Sequence, residues 1–156
     1  MIKVFIDQGH NPTNPNAGAE GSGLREQDLV YEIGIRLADL LNSDPEFDAR
    51  LSRNSPSEIL GETTAQSLRA RTDAANSWGA DIFISLHANA STISSASGNE
   101  GLVYKIPSAA YTLSEDILTE LSLATGLQDR GTTARPGLYV LRKTTMPAVL
   151  LSLIHI

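Results

Sequence analysis

The stretch Ile2-Lys3-Val4-Phe5-Ile6-Asp7-Gln8-Gly9-His10-Asn11 begins with mostly apolar side chains and ends in polar ones. Residues 2–6 are typical of a short buried strand, which places Asp7 and His10 where that strand ends. In α/β folds, ligands gather outside the carboxyl ends of the strands. The opening of the chain therefore predicts that His10 lies at a functional edge of a sheet, provided that other parts of the chain supply partners for it.

Length and charge restrict the class of protein. The chain has 156 residues, of which 41% are hydrophobic and 19% charged, as in an ordinary soluble globular domain. Its formal net charge is −6, and nucleic-acid binding needs clustered lysine and arginine, so no nucleic-acid partner is expected. No apolar run approaches the roughly 20 residues of a membrane span. The absence of cysteine excludes disulfides, thiolate zinc sites and cysteine nucleophiles.

Apolar runs and helical periodicity alternate along the chain. Helices are predicted over residues 24–42, 64–78 and 111–125, the first with an apolar face formed by Val30, Ile33, Leu37, Leu40 and Leu41. Strands are predicted over residues 2–6, 47–52, 81–87, 102–106, 138–141 and 148–151, with a polar loop over 128–137. Strands that alternate with helices indicate an α/β layer fold, and no internal repeat or domain boundary interrupts the pattern.

Two strands that are far apart in sequence end in histidine, at His10 and His87. Glu26 precedes Val30 by four residues, which places it on the inward face of the first helix, where an unpaired carboxylate would be costly. Two histidines and one carboxylate with an open fourth position form a catalytic zinc arrangement. Asp7 is placed to orient a metal-binding histidine through a hydrogen bond to its ring.

Each of these residues also has a simpler interpretation. A histidine at a strand end is most often solvated or hydrogen bonded. Glu26 is also favourable at the positive end of a helix, by a few tenths to about 1 kcal/mol. Arg71, on the apolar stripe of the second helix, is explained by a snorkelling side chain or by pairing with a buried acid. The spacing alone leaves both interpretations open.

Several blocks of sequence, in the same order, resemble the zinc-dependent N-acetylmuramoyl-L-alanine amidases of the amidase-3 family. The resemblance extends over residues 2–151. The blocks are Ile6-Asp7-Gln8-Gly9-His10, Gly23-Leu24-Arg25-Glu26, Ser52-Arg53, Leu68-Arg69-Ala70-Arg71 with Ala75-Asn76, Asp81 to Asn89, Asp129-Arg130-Gly131, Leu138 to Arg142 and Pro147 to Leu151.

This resemblance implies a fold, a cofactor and a reaction. The expected fold is a single layered domain with a mixed, mostly parallel sheet of about five to six strands flanked by helices. The expected cofactor is one zinc ion, with His10, Glu26 and His87 at the family's ligand positions. The expected substrate is peptidoglycan, cut at the amide between N-acetylmuramic acid and L-alanine. Arg71 and Asn89 are candidate supporting groups.

The sequence departs from the family pattern at two positions. Gln8 stands where the family usually has proline, a change that we expect to be tolerated. Ser152 stands where the family has the glutamate that acts as general base, and a serine cannot serve as a base near pH 7 without a partner of its own. We therefore expect zinc binding with impaired catalysis.

The residues after the last predicted strand also differ from the family. We interpret residues 1–151 as an amidase-like catalytic domain that is incomplete at its carboxyl end. Residues 152–156 are then an atypical tail, produced by truncation or a frameshift.

A cell-wall hydrolase acts outside the cytoplasm, yet the chain shows no signal peptide, which requires a basic region followed by an apolar stretch. A phage, sporulation or other export route would reconcile the two. We expect a monomer. The two alternatives are an inactive zinc-dependent module that binds peptidoglycan and a zinc carboxypeptidase on the same scaffold.

Overall fold

The structure is a computed structural model that describes residues 1–89 and 97–155, with the backbone alone at residues 89, 154 and 155. Its strands are β1 (Ile2–Gln8), β2 (Glu20–Gly21), β3 (Leu24–Arg25), β4 (Phe47–Leu51), β5 (Ile82–Asn89), β6 (Asn99–Val103), β7 (Asp129–Ala134) and β8 (Ala148–His155). Its helices are α1 (Glu26–Asn42), α2 (Thr64–Trp78), α3 (Ala109–Thr125) and α4 (Tyr139–Lys143).

The main sheet has six strands in the order β4-β1-β5-β8-β6-β7, and β2 and β3 form a separate small hairpin. β4, β1, β5 and β8 run parallel to one another, whereas β6 is antiparallel to β8. The predicted mixed, mostly parallel sheet is confirmed. The carboxyl ends of β1, β5 and β8 lie side by side, so the residues that end these strands meet at one edge.

Helices cover both faces of the sheet. Side chains of α1 and α3 pack on one face together with Val149 and Leu151 of β8. Side chains of α2 and α4 pack on the other face with Ala148 and Leu150. Both sets of β8 side chains are at least partly buried, as expected of a central strand covered on two sides.

Helices α2 and α3 begin and end at residues that satisfy some of their free backbone groups. The Thr63 hydroxyl accepts a hydrogen bond from the Gln66 N–H at 3.1 Å, and Gly79 ends α2 with φ 69°. Ser108 caps α3 in the same way, accepting from the Tyr111 N–H at 3.0 Å. A hydroxyl at the N-cap and a left-handed glycine after the last turn are frequent helix boundaries, which explains why the sequence predicts the bounds of α2 to the residue.

Two predictions of secondary structure are wrong. Residues 138–141 are expected from sequence to form a strand, but Tyr139–Lys143 is a helix. A short apolar run cannot be assigned to a strand or a helix by periodicity alone. Residues 128–137 are expected to form a loop, but Asp129–Ala134 is the edge strand β7, whose polar side chains reflect its place at the rim of the sheet.

The observed bounds of two elements and the buried face of α1 differ slightly from those predicted. Leu24–Arg25 forms a strand rather than the first turn of α1, and the strand expected at 102–106 lies at Asn99–Val103. On α1, Val30 is buried, but Ile33 and Leu40 are exposed. These two side chains border an apolar groove between α1 and α3. The domain boundary predicted at residue 151 stays a prediction, and β8 continues to His155.

Candidate metal centre

Three side chains from separate elements converge at the carboxyl edge of the sheet. His10 Nε2 lies 3.2 Å from Glu26 Oε2, and His87 Nδ1 lies 3.0 Å from Glu26 Oε1. The two imidazole rings are 4.9 Å apart, centre to centre, and nearly perpendicular. The three residues predicted from sequence to form a cluster are therefore brought together.

Two features of the backbone place His10 in this cluster. The Gly9 N–H donates to the Leu86 carbonyl at 3.0 Å, which extends the pairing of β1 with β5 by one residue. His10 itself has φ 68°, in the left-handed region. A non-glycine residue in that region costs on the order of 1–3 kcal/mol, so surrounding contacts must hold it there.

Glu26 is the central member of the cluster and is only 4% exposed. Besides the two histidines, it accepts hydrogen bonds from the Ala19 N–H and the Ala88 N–H, both at 3.0 Å. Burial would raise the pKa of the Glu26 carboxyl, but the hydrogen bonds with His10, His87 and Ala19 outweigh it and hold the pKa well below its usual range. The cluster thus contains a carboxylate that stays ionised at neutral pH.

The donor set fits a transition-metal ion. Each of the three residues offers one ligand atom, and these atoms lie within 4.8 Å of one another. Imidazole nitrogen together with carboxylate oxygen suits zinc. The histidines are about one-fifth exposed, so an ion bound here would remain open to solvent and substrate on one side.

A pocket lies beside the two histidines, on the α2 and α4 side of the sheet. Its lining includes Leu68, Arg71, Leu138 and Tyr139. Sequence reasoning misses Leu138 and Tyr139 because it assigns this segment to a strand, whereas α4 places it against the pocket. In the sequence, adjacent tyrosine and leucine carry no signal of this position.

Asp7 and Arg71 form a buried ion pair with an Oδ1–Nη1 distance of 2.7 Å. The sequence predicts that Asp7 orients a histidine ring; its Oδ2 instead accepts from the Ser85 hydroxyl at 2.7 Å. Burial would raise the pKa of Asp7, but the charge and hydrogen bond of Arg71, together with Ser85, lower it below the usual value. Pairing with a buried acid, one of the two simpler interpretations of Arg71, is what the structure contains.

Ser152 lies next to the cluster, on the strand beside His87. Ser152 is paired in register with His87 across β5 and β8 and is 1% exposed. Its hydroxyl has no hydrogen-bond partner among the described residues. The side chain of Asn89 lies outside the described part of the chain.

Gly9 allows the close approach of His87, and replacing it tests the geometry of the cluster. A Cβ atom at this position would lie 2.6 Å from His87 Cε1 and 2.7 Å from the Leu86 carbonyl oxygen. We expect Gly9→Ala to displace the His87 ring and to weaken zinc binding by about tenfold or more, as changes around metal ligands do.

Zinc competition with a chromophoric chelator measures this effect. Gly137→Ala is the matched control, because a Cβ there meets no described atom within 4 Å. Equal zinc affinity in the Gly9→Ala variant and the original chain would show that the ring is not held as described.

Fold and site together define a class: an α/β domain with a candidate metal centre of two histidines and one carboxylate at the carboxyl edge of its sheet. Comparison with known proteins identifies the family. The family described as Amidase_3, N-acetylmuramoyl-L-alanine amidase, matches residues 4–156. The chain belongs to the N-acetylmuramoyl-L-alanine amidase family.

Individual relatives agree with this assignment. The chain is 36% identical over 152 residues to the sporulation-specific N-acetylmuramoyl-L-alanine amidase of Bacillus subtilis (strain 168), covering 96% of this chain and 54% of that protein. It is 33% identical to the endolysin of Bacillus phage SPP1, covering 94% of this chain and 52% of that protein. The chain thus spans about half the length of these relatives.

A solved structure shares the fold. The catalytic domain of CwlV, an N-acetylmuramoyl-L-alanine amidase from Bacillus (Paenibacillus) polymyxa var. colistinus, superposes with a TM-score of 0.84 at 30% identity. The match covers 99% of this chain and 81% of that one. The α/β architecture predicted from the sequence is therefore that of an amidase catalytic domain.

Proposed function

We propose that the chain is a zinc-dependent amidase that hydrolyses the bond between N-acetylmuramic acid and L-alanine in peptidoglycan. The observation that carries the proposal is the convergence of His10, Glu26 and His87 in a chain that belongs to this family. The relatives named as a sporulation-specific N-acetylmuramoyl-L-alanine amidase and as an endolysin support the choice of substrate.

The roles of the chain's own residues follow from their positions. His10, Glu26 and His87 would hold the metal, and the lowered pKa of Glu26 keeps its carboxylate available as an anionic ligand. When bound, zinc supplies a water of lowered pKa, about 7, and polarises the scissile carbonyl. The pocket between α2 and α4 lies directly beside the two histidines and is where the muramyl peptide would be held.

Hydrolysis also requires a group that takes a proton from the attacking water and returns one to the leaving amine. We propose that Ser152 occupies the position of the family's base and that catalysis is impaired as a result. A serine hydroxyl becomes a base only when another group activates it. The Ser152 hydroxyl has no hydrogen-bond partner among the described residues, so none of them activates it.

The same residue favours one alternative function. A chain that holds zinc and the muramyl peptide but lacks a base would act as a peptidoglycan-binding module. This alternative rests on Ser152 alone, whereas the amidase proposal rests on the ligand cluster.

We propose that the chain acts at the bacterial cell wall, outside the cytoplasm, and that it does so as a monomer. The relatives named as a sporulation amidase and a phage endolysin support the site of action. Within the described residues, no helix is long and apolar enough to cross a membrane.

Digestion of purified peptidoglycan tests the proposed reaction. We expect slow, chelator-sensitive release of stem peptides with a new L-alanine amino group, because the metal ligands are present and the base is not. Mass spectrometry of the soluble products and labelling of new amino groups identify the bond that is cut. Reducing ends should not increase, since the glycan remains intact.

The product pattern separates the alternatives. Free D-alanine would indicate a carboxypeptidase and contradict the amidase assignment. Zinc-dependent pelleting with the cell wall, without cleavage even by a Ser152→Glu variant, would favour the binding module. Unchanged activity after removal of all zinc would refute the role given to the metal.

A further inference from the structure

The guanidinium of Arg71 contacts most of the segment that carries His10. Arg71 Nη1 donates to the Gln8 carbonyl oxygen at 2.5 Å, and Nη2 donates to the His10 carbonyl oxygen at 2.7 Å. Nη2 also donates to Asn11 Oδ1 at 3.2 Å. One side chain from α2 therefore bonds to three of the four residues 8–11, namely Gln8, His10 and Asn11.

These contacts bear on the conformation of His10. With φ 68°, His10 has turned out of the strand, and its carbonyl points to Arg71 while its ring points to Glu26. His10 Nδ1 is buried and has no hydrogen-bond partner among the described residues. No described residue orients the ring through this second nitrogen, as a hydrogen-bond partner commonly does for metal-binding histidines, so we attribute the direction of the ring to the backbone of His10.

Arg71 also connects this segment to the strand that carries His87. Its ion-pair partner Asp7 accepts a hydrogen bond from Ser85 Oγ, two residues before His87 on β5. The two strands that supply histidines thus share one hydrogen-bonded network centred on Arg71.

Direct contact with substrate does not explain this residue. Arg71 is 1% exposed, and its guanidinium is occupied by the backbone and by Asp7. Arg71 borders the pocket, but a peptidoglycan strand held there could bond to its guanidinium only by displacing these partners. The role that remains is exerted through His10.

We propose that Arg71 is a positioning residue that holds the His10 backbone in its left-handed conformation and so sets the direction of this metal ligand. The inference rests on the proposed metal centre. Arginine suits the role because its planar fork donates to several acceptors at once in fixed directions. A lysine in its place would keep the charge beside Asp7, but it has one nitrogen and lacks the two separate nitrogens, Nη1 and Nη2, that bond to the Gln8 and His10 carbonyls.

The test compares metal binding by Arg71→Lys and Arg71→Met with a control destabilised elsewhere. Leu118→Ala is that control, because Leu118 is fully buried on α3, on the opposite face of the sheet from α2. Zinc affinity is measured by chelator competition, and the visible absorption spectrum of the Co²⁺-loaded chain reports the geometry of the ligands. Folding of each variant is followed by circular dichroism.

We expect Arg71→Lys to remain folded, to bind zinc about 10- to 100-fold more weakly and to show an altered Co²⁺ spectrum. Leu118→Ala should keep the original affinity and spectrum when folded. If Arg71→Lys binds zinc like the original chain with the same spectrum, the positioning role is overturned. If Leu118→Ala weakens zinc binding equally, Arg71 acts through stability alone, and the inference is also overturned.

Failure of the underlying proposal would look different. If the original chain binds neither zinc nor Co²⁺, the metal centre itself is refuted, and with it the positioning role. If Arg71→Met fails to fold, Arg71→Lys alone supports or overturns the positioning role, because it retains the buried charge opposite Asp7.

Discussion

Ser152→Glu should raise the rate of peptidoglycan hydrolysis by roughly 10²- to 10⁴-fold, the usual contribution of a general acid–base group. Ser152 is in register with His87, on the strand next to it. The two side chains face the same side of the sheet as the pocket, because Leu150, two residues earlier on β8, lines it. A carboxylate at this position would stand beside the proposed metal ligands, where the serine hydroxyl has no activating partner among the described residues.

Two control variants test whether the higher rate of Ser152→Glu depends on side-chain volume or on a neighbouring charge. Ser152→Gln adds nearly the same volume without a base and should leave the rate unchanged. Glu100 lies opposite Ser152 in the antiparallel pairing of β6 and β8, and like charges at such positions destabilise a sheet. Ser152→Glu should therefore also be made with Glu100→Gln, which removes the like charge.

The initial rate at which new L-alanine amino groups appear, measured at equal zinc occupancy, distinguishes these outcomes. Equal rates for the original chain and for both folded, zinc-loaded Ser152→Glu variants would refute the proposal that a glutamate at residue 152 acts as the general base. An equal gain with Ser152→Gln would attribute the effect to packing rather than to proton transfer.

The fold could be predicted where the local sequence pattern fits only one kind of secondary structure. The apolar run before His87 and the capped, periodic segment of α2 indicate their elements directly. Prediction fails at Leu138–Leu141, where a short apolar run fits a helix or a strand equally, and at β7, where an edge strand carries polar side chains. These failures reflect tertiary position, which local sequence does not encode.

The candidate site, like the fold, could be predicted in part from the sequence. That His10, Glu26 and His87 meet could be predicted by combining strand ends and a helix face with the resemblance to the amidases, because the spacing alone leaves a simpler role open for each. The particular hydrogen bonds could not. That Asp7 bonds to Ser85 and Arg71 rather than to a histidine depends on side-chain directions set by packing across three elements.

His87→Ala should abolish stable zinc binding and, with it, the remaining hydrolysis. Zinc sites in proteins hold the ion with three or four protein ligands, and this change leaves His10 and Glu26. Because a ligand stabilises the state that binds it, zinc at 100 times its Kd should stabilise the original chain by about 2.7 kcal/mol. Thermal unfolding with and without zinc measures this stabilisation, and His87→Ala should show no measurable stabilisation by zinc.

Glu26→Gln should behave like His87→Ala, since it replaces the anionic ligand with a neutral amide of similar shape. Glu20→Gln is the matched control, because the Glu20 side chain is 66% exposed and paired with Arg25 on the hairpin rather than with the histidines. Zinc-dependent stabilisation that persists in Glu26→Gln but disappears in Glu20→Gln would place the metal elsewhere.

The zinc content of the purified chain, determined by mass spectrometry of the metal after dialysis against a weak chelator, tests the central claim most directly. We predict one zinc ion per chain for the original protein and for Glu20→Gln, and none for His87→Ala. An original chain that holds no zinc after incubation with the ion, or a His87→Ala variant that retains one, would contradict the assignment of His10, Glu26 and His87 as its ligands.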